Sequence, residues 1–500
     1  MSQYSSMDKK YHRRVLTLLL GLGVLRVLAL IISPINLHGD EAQYWTWSRE
    51  FDWGYFSKPP MIAWIIGVST WIFGNAEWAV RISSPILHPI TAYVLYRTGR
   101  FLYDGRTGFW AAVVYFTMPA VWLSSGIVST DVALLLFWTL ALNAWTHMRV
   151  TPKWRWAFLL GVAIGAGLLS KYAMLFFLPA LAACTIVDTP TRRALMSKYG
   201  VGALGITALL MAPNIVWNAA HDFATVSHTA ANANIKGIPF HPGELMSFWG
   251  TQFGVFGPLT LVVLILTLLA SFRKKLSKET MLLSFFVLSP LVIISLEALL
   301  SRANANWAVT AYMGASILVA HYGLSRLEKT TKVGIGLNVL IGSIVIFGGL
   351  VPGFANAVGQ ANAFKRVRGW PQTWAEIEQV ASAGHEGQSF SAIAVDNRLV
   401  FYDLTYYSRK QADHLPLRMW LHTAHIDNHA EATAALTAQA SDASPVLIVN
   451  YYTDYQDELR EDFARLVPLN PVIIDLGGGK KRHLNMWAGY GYVPTTKTER

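Results

Sequence analysis

Apolar runs of roughly 17–25 residues, each long enough to cross a bilayer, recur along the first two thirds of the chain. They fall near 15–36, 82–99, 108–128, 131–148, 156–170, 172–187, 199–219, 246–271, 280–300, 307–324 and 333–351. The pattern predicts a polytopic α-helical membrane protein with about eleven transmembrane helices. A further apolar run over 61–74 is short, at about fourteen residues, and proline and tryptophan flank it, which predicts an interfacial or re-entrant helix. After Gly353 the polarity becomes ordinary. Short β-like runs at 391–395, 445–450 and 471–475 are interleaved with helix-compatible stretches such as 431–439 and 456–466. Residues 1–353 therefore read as a transmembrane domain whose first outer loop covers 37–80, and 354–500 as a soluble α/β domain.

Composition agrees with this division. The chain of 500 residues is 53% hydrophobic, 14% charged and contains 19 Trp, against about 25% charged in an average soluble protein. A net charge of +11 is compatible with nucleic acid, anionic lipid or the basic loops of a membrane protein, and its distribution decides among them. With the 61–74 segment left out of the spans, one side of the membrane collects Lys9, Lys10, Arg13, Arg14, Arg97, Arg100, Arg149, Arg192, Arg193, Arg273, Lys274, Lys275 and Lys332, among others. The opposite short loops hold only Arg49, Lys58, Arg81, Lys171, Lys236 and Arg302. The positive-inside rule makes the first side cytoplasmic, so the N-terminus is cytoplasmic and the loop after the first span faces outward with the C-terminal domain. The basic residues before the first apolar run resemble a secretory signal, but no small-residue cleavage site follows, and the segment reads as an uncleaved first span. The single cysteine, Cys184, excludes a disulfide framework and a cysteine metal cluster.

The outward loops carry the residues with chemical potential. Asp40 and Glu41 stand where the first apolar run ends, near Tyr44, and Tyr55, Lys58 and Pro59-Pro60 follow in the same loop. Later outer segments add Asp131 after Ser129-Thr130, Lys171 after a glycine-rich stretch, and Arg302. These loops meet only if the helices pack as one bundle. A carboxylate at the membrane boundary suits a general base on an acceptor hydroxyl. A nearby ammonium or guanidinium suits a lipid-borne phosphate, in the ground state and as charge builds on the leaving group. Competing structural roles exist for each residue. Lys58, Lys171 and Arg302 also suit interfacial anchors, and Asp131 suits a helix cap. The spacing of His221, Asp222, His228 and His241 matches no compact metal-ligand motif, so no metal ligands are assigned and loop solvation explains them better. Arg26 and Glu297 lie within or near the ends of spans, where an ionised group must face protein or water.

With the Gly39-Asp40-Glu41 motif, the Tyr55 to Pro60 run, Arg81-Ile82-Ser83-Ser84, Ser129-Thr130-Asp131, Lys171-Tyr172 and Asn304-Ala305-Asn306-Trp307 assembled, the chain resembles the family-39-type, polyprenyl-phosphate-sugar-dependent membrane glycosyltransferases of the GT-C fold. That group includes aminoarabinose transferases acting on lipid A, lipopolysaccharide galacturonosyltransferases and, more distantly, protein O-mannosyltransferases. The resemblance covers residues of about 12–325 and is sharpest at the Asp-Glu motif.

The resemblance implies an inverting transferase of the bacterial inner membrane. It would move a sugar from a polyprenyl monophosphate to lipid A, core oligosaccharide or another envelope glycan on the periplasmic face. It implies Asp40 as base with Asp131 as supporting acid, Lys58 and Tyr55 on the donor phosphate with help from Arg302 and Lys171, and Glu41 and Tyr44 in substrate positioning. Two departures stand out: Ser57 replaces a glutamate of the aminoarabinose transferases, and Gln43 replaces an arginine. The first removes support for a metal site at that glutamate. No cofactor is specified by the sequence, and nothing in it supports a divalent metal. A protein O-glycosyltransferase differs only in acceptor. A transporter or flippase would place ionisable or broken-helix sites near the bilayer midplane, and an envelope sensor would give no reason for the ordered acid and lysine set.

Overall fold

The structure, a computed structural model, describes residues 6–233, 240–273, 277–411, 413–422, 426–439, 444–452 and 455–495. Lys236, Lys274 and Lys275, which entered the charge count, lie outside the described residues, as does part of the 221–241 segment. Contacts divide the chain into two compact units, Met1–Ile32, Asp52–Gly54 and Lys58–Phe347 in one, and Ser33–Phe51, Tyr55–Ser57 and Gly348–Arg500 in the other. The division differs from a simple boundary at 353, because the first part of the outer loop, with Asp40, groups with the C-terminal residues.

The first unit is a helical membrane bundle. Among the described residues four helices are long and apolar enough to cross a membrane by length and composition, Met7–Ile31, Lys198–Ala220, Lys278–Leu300 and Glu328–Leu350, or up to six if each of two bent helix pairs is one span. Others, such as Ser83–Leu102 and Thr130–Val150, are packed on several sides by neighbours. A helix wrapped by protein can carry polar groups if they find partners. Accordingly Thr139 returns a hydrogen bond to Leu135 O and Asn143 donates to Thr98 Oγ1 at 3.0 Å. Arg26, buried within the first span, faces protein, lying 3.9 Å from the Phe116 ring centre and donating to Phe116 O at 2.7 Å. The short helix Met61–Phe73 forms where the 61–74 run predicted one.

The expected span over 246–271 is not a single helix. It breaks into Pro242–Phe256 and Pro258–Phe272, bent by 111°. Gly257 turns the chain with φ +102°, Pro258 offers no N–H to continue the helix, and Asn338 Nδ2 donates to the freed Phe256 carbonyl at 3.2 Å. Similarly the run after Lys171 starts as a short 3-10 turn, Tyr172–Phe176, continues as Phe177–Val187, and then bends by 118° into Thr189–Leu195. At that bend the buried Asp188 carboxylate caps the next helix through Thr191 N and takes ion pairs from Arg149 and Lys278, each at 2.7 Å.

Among the described residues the second unit holds one mixed five-stranded sheet. Its strands are β1 (Ala392–Val395), β2 (Leu417–Met419), β3 (Val446–Asn450), β4 (Phe463–Gly477) and β5 (Lys480–Tyr492), in the order β2-β1-β3-β5-β4. β1 runs parallel to both β2 and β3, pairing Ile393 with Leu417 and with Leu447. β5 is antiparallel to β3 and to β4. The β1 and β3 sequences are buried throughout, as continuous apolar strands covered on both faces should be. The β4–β5 hairpin turns at Gly477-Gly478-Gly479, all with positive φ, a conformation that disfavours any residue with a Cβ. Two expected helices shorten: 431–439 becomes His429–Ala434, and 456–466 becomes Gln456–Asp462 because Phe463 already pairs with Tyr492. The apolar run 471–475 lies inside β4, while β2 and β5 were not anticipated.

Candidate active site

Asp40 stands in the first turn of the Gly39–Trp47 helix, in the second unit. The helix is fixed at its start by a capping box: His38 Nδ1 accepts from Asp40 N at 3.2 Å, and Glu41 Oε2 accepts from His38 N at 2.9 Å. Glu41 is therefore 3% exposed and bonded to its own loop backbone. Gly39 lets the helix lie against Leu399, since a Cβ there would sit 2.7 Å from Leu399 Cβ. The preceding residues are pinned as well, with Trp370 N donating to Asn36 Oδ1 at 3.1 Å and Leu37 N donating to the Tyr407 hydroxyl at 2.9 Å.

On this rigid mount the Asp40 side chain remains 44% exposed. Arg398 Nη2 lies 3.1 Å from its carboxylate, and Arg398 Nη1 donates to Gln43 Oε1. The 3.6 Å approach of His38 Nδ1 to Asp40 is not a second ion pair, because that nitrogen uses its lone pair to accept from Asp40 N. The far end of the helix is closed by aromatic residues. Tyr55 stacks on Trp47 with ring centres 4.8 Å apart, and its hydroxyl faces the Glu50 and Trp47 carbonyls at 2.7 and 3.0 Å. Tyr44 is buried beside Trp47. The geometry thus uses Tyr55, Tyr44 and Glu41 to shape the loop that carries Asp40.

The first unit gathers a second constellation. Asp131 occupies the first turn of the Thr130–Val150 helix, where a negative charge meets the favourable end of the helix dipole. Ser129, at the cap position, makes no side-chain capping bond, and the Asp131 carboxylate is engaged elsewhere. Lys171 Nζ donates to Asp131 Oδ1 at 2.7 Å and Asn306 Nδ2 to Oδ2 at 2.6 Å. Three loops far apart in sequence therefore meet at one carboxylate, as one packed bundle requires. The ion pair is partly buried, with side chains 13% and 19% exposed for Asp131 and Lys171. Next to Lys171, the Tyr172 hydroxyl donates to Asn214 Oδ1 at 3.1 Å, and Asn214 Nδ2 donates to Trp53 O at 2.7 Å. Lys58 belongs to this unit, half-buried before Pro59-Pro60 and the Met61–Phe73 helix. Arg302 is exposed, with no ion-pair partner among the described residues. His221 stacks on Trp217 at 4.1 Å and bonds the Trp217 carbonyl, a helix-end role.

Arg398 was not among the residues singled out from sequence. A signal existed: Asn397, after the β-run 391–395, is a good helix cap, and its Oδ1 accepts from Leu399 N at 2.9 Å. Nothing local connects the next residue to a loop some 355 positions earlier.

Among known families, one described as dolichyl-phosphate-mannose-protein mannosyltransferase matches residues 57–217. Among solved structures, ArnT from Cupriavidus metallidurans in the apo state aligns with a TM-score of 0.67 at 14% identity, covering 97% of this chain and 99% of that one. The same protein bound to undecaprenyl phosphate aligns with a TM-score of 0.65 at 15% identity, with the same coverage. The fold is thus that of a GT-C membrane glycosyltransferase. Lipid A galacturonosyltransferase RgtD of Rhizobium johnstonii is 31% identical over 398 residues, 79% of this chain and 83% of its own length. An undecaprenyl phosphate-alpha-4-amino-4-deoxy-L-arabinose arabinosyl transferase of Pseudomonas fluorescens is 28% identical over 212 residues, which is 38% of this chain and 37% of that protein. The chain belongs to the family of polyprenyl-phosphate-sugar-dependent glycosyltransferases that holds the lipid A galacturonosyltransferases.

Proposed function

We propose that this glycosyltransferase moves a sugar from a polyprenyl monophosphate to lipid A, core oligosaccharide or a related envelope glycan, with inversion, on the periplasmic face of the bacterial inner membrane. The observation that carries the reading is Asp40: a carboxylate held by a capping box and a guanidinium yet left 44% exposed. Rigid placement with access is what a general base requires. The acceptor oxygen forms a bond to the anomeric carbon, the bond from that carbon to the phosphate oxygen breaks, and Asp40 takes the acceptor proton. The lipid phosphate departs with the electron pair, and Lys58 with Arg302 stabilises its charge. Lys171 joins them through its pairing with Asp131, which fixes the ammonium. An acceptor that is already a phosphate needs no base, and Asp40 would then position it. In this reading about eleven spans cross the membrane, the N-terminus is cytoplasmic, and the C-terminal domain is periplasmic.

A protein acceptor is the second reading, favoured by the match of residues 57–217 to a protein mannosyltransferase family. Transporter and sensor readings fall away with family membership. Mass spectrometry of lipid A, core oligosaccharide and periplasmic proteins from cells with and without the gene decides the acceptor. One sugar mass missing from lipid A or core confirms the first reading. A mass missing only from a protein replaces it with the second, and no missing sugar in any of the three overturns both.

A further inference from the structure

Within the second unit a cleft of about 570 Å³ opens beside the start of the Arg398–Ser408 helix and the residues that follow β3. Its charged lining is one-sided. Lys365, Arg366, Lys481 and Arg482 contribute four basic side chains, and among the described residues the only acidic one lining it is Asp403. Among the described residues, Lys365, Arg366 and Lys481 have no carboxylate within ion-pair distance. All three are exposed.

Arg482, by contrast, is built in. It donates to Thr373 Oγ1 at 2.7 Å and to Arg368 O at 2.9 Å, and its guanidinium lies 3.4 Å from the Trp370 ring centre. Burial lowers its pKa to about 10, so it remains charged at neutral pH. Asp403 is 1% exposed, and its Oδ1 has no hydrogen-bond partner among the described residues. A buried polar atom left unpaired is costly, on the order of 1–3 kcal/mol, and calls for a partner. Burial pushes the Asp403 carboxyl well above the usual range, with Arg482 opposing and Glu41 and Asp40 adding to the shift. Asp403 thus lines the cleft with a buried carboxyl oxygen that a ligand hydroxyl can donate to. The cleft wall is held by Asp396, whose carboxylate accepts from Tyr451 N and Tyr452 N, each at 2.8 Å.

We propose that this cleft is a binding site for a sugar bearing an oxyanion, a phosphate or a carboxylate. The cluster of Lys365, Arg366, Lys481 and Arg482 takes the anion, and Asp403 accepts from a neighbouring hydroxyl. Phosphate-bearing acceptor glycans and uronic-acid donors share this chemistry. Binding here does not depend on the roles assigned to Asp40 or Lys58, so its failure would leave the transfer reading standing.

The test is equilibrium binding to the detergent-purified full chain, followed by calorimetry at low salt, with glucosamine 1-phosphate, galacturonic acid and galactose as probes. One of the two anionic sugars should bind saturably while galactose does not, and raising the salt should weaken the complex. The anionic sugar that binds more tightly names the source. Lys365→Ala combined with Lys481→Ala, both at exposed positions that leave the core intact, should weaken that binding by about tenfold or more, the worth of one or two charge-assisted hydrogen bonds. Galactose binding as tightly as either anionic sugar, no saturable binding of any probe, or affinity unchanged in the double variant would each overturn the proposal.

Discussion

Arg398 lies 3.1 Å from the Asp40 carboxylate and also holds Gln43, one helical turn further along the same helix. One guanidinium from the C-terminal residues therefore ties both positions of the Asp40 helix. Arg398→Ala should lower transfer by about tenfold, the lower end for a charge-assisted hydrogen bond because the pair is partly exposed. Residues 40 and 43 share a helix face, so adding Gln43→Arg should recover part of the loss. Transfer rates in purified protein check this, and full activity in Arg398→Ala would remove the residue from the site.

Asp40→Asn keeps the helix, because the capping box uses His38 and Glu41 rather than the Asp40 carboxylate. The variant should insert and melt like the wild type while transfer falls by about 10²–10⁴, the range for a lost general base. Wild-type turnover in Asp40→Asn would sink the assignment.

The Asp131–Lys171 pair should behave as one unit. Asp131→Ala leaves a partly buried ammonium without its carboxylate and should cost about 1–3 kcal/mol of stability. Lys171→Ala should cost a similar amount, and the double variant clearly less than the sum. Thermal melts of the three variants in detergent read the coupling directly, and strict additivity would show that the contact contributes nothing.

Gly257 is the pivot between Pro242–Phe256 and Pro258–Phe272, and a Cβ there would sit 1.9 Å from Asn338 Oδ1. Gly257→Ala combines that clash with a positive φ of 102°, a backbone cost of roughly 1–3 kcal/mol. A lower melting temperature is expected, with Asn338→Ala relieving part of the damage. If Gly257→Ala melts unchanged, the bend is not held by these two residues.

Asp396 supplies a pH dependence. Burial raises its pKa from the ordinary 3.8 to about 6, with the Tyr451 and Tyr452 amides opposing the shift. An acid that holds its proton more tightly when folded contributes stability that is complete below its unfolded pKa and is lost as pH rises through the folded value. The wild type should therefore lose stability relative to Asp396→Asn between about pH 4 and pH 7. Melting curves across that range check it, and a gap that does not change with pH would contradict the shift.

What was legible in the sequence is what depends on local pattern. Apolar run lengths located several of the helices, and the short 61–74 run gave Met61–Phe73. Continuous apolar runs gave β1 and β3 nearly to the residue. The break at Gly257 escaped because one glycine before a proline barely interrupts the hydropathy of 246–271, while a bend depends on backbone conformation. β5 escaped because it begins Lys480-Lys481-Arg482 and carries Gly489 and Gly491, none of which favours a strand unless a partner pairs with it. At the site, Asp131, Lys171 and the Asn306 segment could be nominated one at a time, but their meeting depends on helix packing. Tyr55 carried a motif, yet stacking on Trp47 engaged its hydroxyl within the loop.

The helix that carries Asp40 counts with Gly348–Arg500 rather than with the bundle, and this limits how the enzyme can be recombined. A chimera that exchanges only the C-terminal domain would separate Asp40 from Arg398, and Gly39 from Leu399, while leaving every span in place. Modular exchange among relatives should succeed only when residues 33–51 and 55–57 travel with 348–500, so the inheritable cassette is discontinuous in the gene though contiguous in space.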